Sequence, residues 1–235
     1  MTPKQFEECK RLDTYEPFMT QSLAAMGLSA DDFKAFMPCL FEAIPARDER
    51  DPMEMYEALM VDLESRWTAS PKLPFHGPWH HALTGAILLT ALRNNGHEEA
   101  FGDRDEDGPD TSVDHRICES IKRGLMIPGG TCGFHGVCGA GAGAGLAVAM
   151  VCNSTPFSDD ERRHGLETNA EAMKRIAKVG GPRCCALSTY ISLSLGAKAL
   201  TRLGYPIPSP HLAGRCKRHS KNPQCHGIRC PCYPK

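Results

Sequence analysis

The chain lacks an excess of charge of either sign. Its 235 residues carry a formal net charge of -1, so no global field draws it to nucleic acid or to an acidic membrane surface. It also lacks a long apolar run. The most apolar segments, Ala82–Leu92 and Leu146–Val151, are too short to span a bilayer. The opening residues, MTPKQFEECKRLD, contain no apolar signal core, and a cytoplasmic location is expected. No alternating apolar and polar series marks a set of strands, and no internal repeat is evident. Without a preceding strand or an acidic ribose ligand, the spacing of Gly139, Gly141, Gly143 and Gly145 does not make a dinucleotide fingerprint.

The patterns that are there are helical. Thr14–Met26 is a modest helix candidate. Ser29 followed by Asp32 has capping spacing, and Phe33, Phe36, Met37, Leu40, Phe41 and Ile44 then recur at helical intervals, with Pro38 expected to kink the run. Asp51-Pro52 reads as an N-cap with a first-turn proline, and Met53, Tyr56, Leu59, Met60, Leu63 and Trp67 supply an apolar face. A proline-rich connection, Ser70–Pro78, delivers His76, Trp79, His80 and His81 to a helix ending near Asn94. Successive helical residues point about 100° apart, so at most one of His80 and His81 faces a given site. Val113–Leu125 reads as a further helix, and Ser158–Glu161 as a capping box before another. That helix ends at Gly180-Gly181, and Pro182 is expected to open the last one.

Two features are unusual, and Pro128–Met150 carries part of each. The first is a run of Gly and Ala from Gly139. Internal glycine costs a helix about 1 kcal/mol against Ala, so the run implies a buried helix against which another backbone or a ligand comes close. The second is a content of twelve cysteines. In a reducing compartment, clustered cysteines are metal ligands or redox groups more often than disulfides. Cys9, Cys39, Cys118 and Cys152 are scattered and read as small apolar fillers. The others fall into three groups: Cys132 and Cys138, Cys184 and Cys185, and the tail set Cys216, Cys225, Cys230 and Cys232.

A helix N-terminus and a neighbouring Arg183 are expected to lower the thiol pKa of Cys184 and Cys185. Cys132 and Cys138 lie among Gly133, Gly136 and Gly139, whose amides are free to donate to sulfide or to an anionic group. These four thiols are read as one site, with sulfur-only ligation favouring iron–sulfur or zinc. The plain alternative is a packed Cys-Cys pair. The tail has four cysteines and almost no apolar residues, so it cannot build a core and metal is the expected staple, with His219 or His226 able to replace one thiolate. The acidic stretch DRDEDGPDTSVD from Asp103 begins like a calcium loop, with Asp103, Asp105, Asp107 and Gly108 in place. It departs at Asp110 and Asp114 and reads first as a solvated loop.

The joint presence of HGPWHH (His76–His81), GGTCGFHGVCGAGAGAG (Gly129–Gly145), GGPRCC (Gly180–Cys185) and a cysteine-rich C-terminus resembles an uncharacterised domain-of-unknown-function family of anaerobic bacteria and archaea. Its members are sometimes attached to SAM-dependent methyltransferase or radical-SAM modules. The resemblance covers Leu73 to the C-terminus, and Trp79 departs from it where an acidic residue is expected. It implies an iron–sulfur-linked role.

The expected fold is mostly α: a helical bundle around the Gly/Ala-rich helix with a small metal-stabilised tail. Its parts are an N-terminal helical region (1–70), a central domain (71–205) and the tail (206–235). The expected function is redox or sulfur-transfer chemistry on a small anionic substrate. A [4Fe–4S] cluster is the favoured cofactor and zinc the alternative, especially in the tail. Cys132, Cys138, Cys184, Cys185, Cys216, Cys225, Cys230 and Cys232 are the ligands, His80 and His135 move protons, and Arg183 steers the anion. Other readings are a zinc-stabilised scaffold that docks on a methyltransferase, and a thiol redox sensor. A second copy of the chain is an admissible partner.

Overall fold

The computed structural model describes residues 29–68, 73–102, 112–209 and 211–235. The helix candidate Thr14–Met26, Cys9 and most of the acidic loop lie outside these residues. Eight α-helices are present among the described residues and no strand: α1 (Ala30–Ala43), α2 (Pro52–Arg66), α3 (Trp79–Asn94), α4 (Val113–Leu125), the single turn α5 (Thr131–Phe134), α6 (Gly139–Val151), α7 (Asp160–Val179) and α8 (Cys185–Arg202). None is long and apolar enough to cross a membrane.

Local chemistry sets most of the starts. Ser29 accepts the Asp32 N–H at 3.0 Å while Asp32 accepts the Ser29 N–H at 3.1 Å, a reciprocal box that opens α1. Asp51 caps α2 by accepting from Met53 at 2.7 Å. The apolar faces read from the sequence are buried, from Phe33 to Ile44 and from Met53 to Leu63. Two expected starts differ. Ser158 does not cap α7; its hydroxyl accepts the Thr155 N–H and closes the loop before it. Pro182 does not open α8, because Gly180 and Gly181 both take positive φ and hold the chain out of the helix until Cys185.

α6 is the centre. It packs on α3, α4, α7 and α8 and is buried nearly all round, as a helix with apolar residues on every face must be. Its glycines are used for close backbone approach. A Cβ on Gly145 would lie 2.6 Å from the carbonyl oxygen of Gly165 on α7, and one on Gly139 would enter the His81 ring at 2.1 Å. One hydrophobic core runs from Phe33 through Leu200 to Ile207 and Cys232, so the buried cluster is continuous from α1 to the tail.

Gly145→Ala tests that approach. The substitution gains about 1 kcal/mol of helix propensity but overpacks the α6–α7 contact, at about 1–3 kcal/mol. A net fall in the urea midpoint is expected. An unchanged or raised midpoint would contradict the close contact.

Candidate functional site

The N-terminal ends of α3 and α8 meet through His76. The Cys185 N–H points at His76 Nδ1 at 3.5 Å, and the other ring nitrogen, Nε2, contacts Asn222 Oδ1 at 3.2 Å. An N–H can only donate, so Nδ1 carries the lone pair and Nε2 the proton. Asn222 Oδ1 also accepts the Gln224 N–H at 2.9 Å, which turns its amide NH2 towards Cys184 Sγ at 3.5 Å. Cys184 is the N-cap of α8, and its sulfur also accepts the Leu187 N–H at 3.5 Å.

The tail folds over this point. Cys184, Cys216, Cys225, Cys230 and Cys232 line one cavity of about 10 Å³ together with Phe75, Leu187, Tyr190, His219, Asn222, His226 and Tyr233. That is room for one small ion or one water. The sulfurs share a pattern. Cys225 Sγ accepts the Gly227 N–H at 3.4 Å and Cys230 Sγ accepts the Cys232 N–H at 3.4 Å. The Arg218 backbone likewise acts on the Cys216 thiol in the direction that favours the thiolate. Each is a turn in which the sulfur takes the N–H two residues on. Cys232 differs: it is fully buried, and its thiol donates to Cys230, which pulls the Cys230 pKa well below the ordinary thiol range. Among the described residues no three His, Cys, Asp or Glu side chains stand ready-made as a metal-holding group. The fit of these sulfurs to an ion therefore rests on the shared cavity and its N–H donors.

Polar contacts also hold the tail. Arg218 and Lys221 pair with Glu64 of α2, Lys221 at 2.8 Å. Glu57, also on α2, is buried and accepts the Tyr190 hydroxyl; burial raises its pKa while Arg218 opposes the rise. His226 Nε2 donates to the Pro182 carbonyl at 2.6 Å, and His219 Nδ1 donates to the Cys216 carbonyl at 3.3 Å. Thus each of these histidines spends one nitrogen on main chain.

The structure redistributes the thiols grouped by sequence. Cys184 sits with the tail, whereas Cys185 faces the other way, within electrostatic reach of Cys138 and against the Gly77 backbone. Cys132, Gly133, His135 and Gly136 are exposed on the turn around α5, with Phe134 87% exposed between them. Gly139 is buried beneath the His81 ring, and Arg183 is exposed. His80 is sealed in the core, where Nδ1 donates to the Gly77 carbonyl and Nε2 accepts from Tyr56 Oη, both at 3.1 Å. His81 Nδ1 donates to the Ile127 carbonyl at 2.9 Å. Of the acidic residues of that loop only Asp114 is described; it lies in the first turn of α4, paired with Arg93 at 3.3 Å.

The expected fall in thiol pKa does not occur. Burial pushes Cys184 up to about 11 and Cys185 up to about 12, against the opposing pull of the Leu187 and Gly77 backbone. Desolvation of a thiolate outweighs the helix terminus here. Sequence reasoning passed over Asn222, Glu57 and Arg218. Only Asn222 left a signal, the turn-forming Asn222-Pro223 step.

Burial also lowers three histidines: His80 to about 3, His76 to about 4, the latter helped by the Arg183 charge, and His81 in the same direction. A depressed pKa contributes stability that is whole above the unfolded value of about 6.5. That stability is lost as pH falls towards the folded values. The thermal midpoint is expected to fall between pH 6.5 and 4, and His80→Gln, neutral throughout, to flatten that slope. A flat wild-type profile would contradict the neutral, buried histidines.

No curated protein and no solved structure matches the chain significantly. The family model of DUF5714, a family of unknown function, matches residues 40–233. The match extends beyond the motif region from Leu73 to take in α2, the helix that carries Glu57 and Glu64. The chain belongs to this family of unknown function, DUF5714.

Proposed function

We propose that the protein is a thiolate metal protein in which Cys184, Cys216, Cys225 and Cys230 hold a single ion that fastens the tail to the first turn of α8. The observation that carries this is the set of main-chain N–H groups directed at these four sulfurs inside one cavity. Such donors stabilise a thiolate, the form that binds metal. Sulfur-only tetrahedral ligation suits zinc, and a closed four-ligand site is structural in character. The cavity of about 10 Å³ matches one ion. Cys232, the fifth sulfur, donates to Cys230 and stays outside the ligand set.

A second reading keeps an iron–sulfur enzyme acting on a small anion by redox or sulfur-transfer chemistry. It is favoured by Glu57, a buried carboxyl with a raised pKa in the electrostatic field of Cys216. Perturbed acids beside a cluster of thiols are a feature of reactive sites.

Anaerobic purification, elemental analysis and the ultraviolet–visible spectrum separate these readings. Colourless protein with near-stoichiometric zinc is expected. Serine at 184, 216, 225 or 230 should lose most of the metal, while Cys132→Ser and Cys232→Ser keep it. Brown protein with iron, sulfide and a band near roughly 400 nm would transfer the site to the cluster reading. Metal-free protein would contradict both.

A further inference from the structure

Asn222 reaches a sulfur of the site without being able to ligate through the atom that faces it. It is 5% exposed, and both ends of its amide are engaged. Its Oδ1 is held from two sides, by the Gln224 N–H at 2.9 Å and by His76 Nε2 at 3.2 Å. Its NH2 points at Cys184 Sγ at 3.5 Å. His76 is itself fixed by the Cys185 N–H at 3.5 Å. The donors therefore run in one direction, from the α8 main chain through His76 and Asn222 back to the sulfur of the preceding residue. Each step has a defined donor, so the amide cannot flip without leaving the Gln224 N–H facing another N–H.

This matters because Cys184 differs from the other three sulfurs. It comes from the core, not from the tail, and it caps a helix instead of sitting in a two-residue turn. An ion held by the tail alone would not fasten anything. The bond to Cys184 is the one that joins tail to core, and Asn222, a tail residue, arrives beside it only when the tail is docked. Hydrogen bonds to a ligating sulfur draw electron density from it and fix its direction, which sets both affinity and the energy of the metal–sulfur bond.

We propose that Asn222, held by His76 and Gln224, is the positioning residue that orients the Cys184 sulfur and tunes it towards the metal. The proposal rests on the four-sulfur reading of the site. Asn222 supplies no ligand, and it makes completion of the site conditional on docking of the tail.

The test uses the full chain loaded with cobalt(II) alone, whose sulfur-to-metal charge-transfer bands report thiolate ligation. Asn222→Asp keeps the size and the acceptor oxygen but removes the NH2 donor. It should still show thiolate bands, moved to lower energy, with cobalt affinity reduced by about 10- to 100-fold. His76→Leu should move band and affinity the same way, and His76→Gln, which restores an N–H donor, should recover them. Far-ultraviolet circular dichroism checks that each variant is folded; if Asn222→Asp is not, the two His76 variants decide. Wild-type protein without thiolate bands would overturn the four-sulfur reading and this proposal with it. Wild-type bands that are the same in all folded variants would overturn the role of Asn222 and leave the four-sulfur reading standing.

Discussion

The arrangement depends on how closely backbones approach at α6. Side chains there are reduced to hydrogen and methyl over most of its length, so α7 comes within a few ångströms of bare main chain at Gly145. α3 seats the His81 ring where a side chain at Gly139 would be. Helices packed at this distance cannot slide without collision. α3 and α8, both packed on α6, are thereby fixed with their N-terminal ends together. His76 before one and Cys184 before the other are consequences of that packing. The glycines lower the intrinsic stability of α6 by about 1 kcal/mol each, and burial on every face offsets that loss.

At the joined ends two electrostatic effects compete. Helix N-termini favour a thiolate, and burial disfavours it. For Cys184 and Cys185 burial wins. A bare thiolate is therefore costly here, and the N–H donors around Cys184, Cys225 and Cys230 offset part of that cost. The tail is docked by polar chemistry as well: Glu64 takes Arg218 and Lys221, and Asn222 takes His76. A segment without an apolar core of its own is thus placed by the surface it lands on, with the buried Cys232 as its apolar anchor.

Much of the helical frame was legible from periodicity and caps. Ser29, Asp51 and Gly180 mark boundaries because their side chains or backbone freedom act within a turn of where they stand in sequence. The burial of α6 was legible because a Gly/Ala run has few other uses. The site was only partly legible. All the tail cysteines could be named, yet their partner could not, because adjacent residues at a helix start point apart and nothing local says whether Cys184 or Cys185 turns to the tail. Pairing both with Cys132 and Cys138 followed sequence grouping, which carries no information on direction. Asn222, Glu57 and Glu64 act across more than a hundred residues in three of their contacts, and no spacing rule reaches that far.

X-ray absorption at the metal edge of the purified protein tests the central claim most directly. A single shell of four sulfurs at about 2.3 Å, lost when Cys184 alone is replaced by serine, is the predicted result. A shell containing nitrogen or oxygen in the wild-type protein, or four sulfurs that survive the loss of Cys184, would contradict the account of a tail fastened to α8 through that residue.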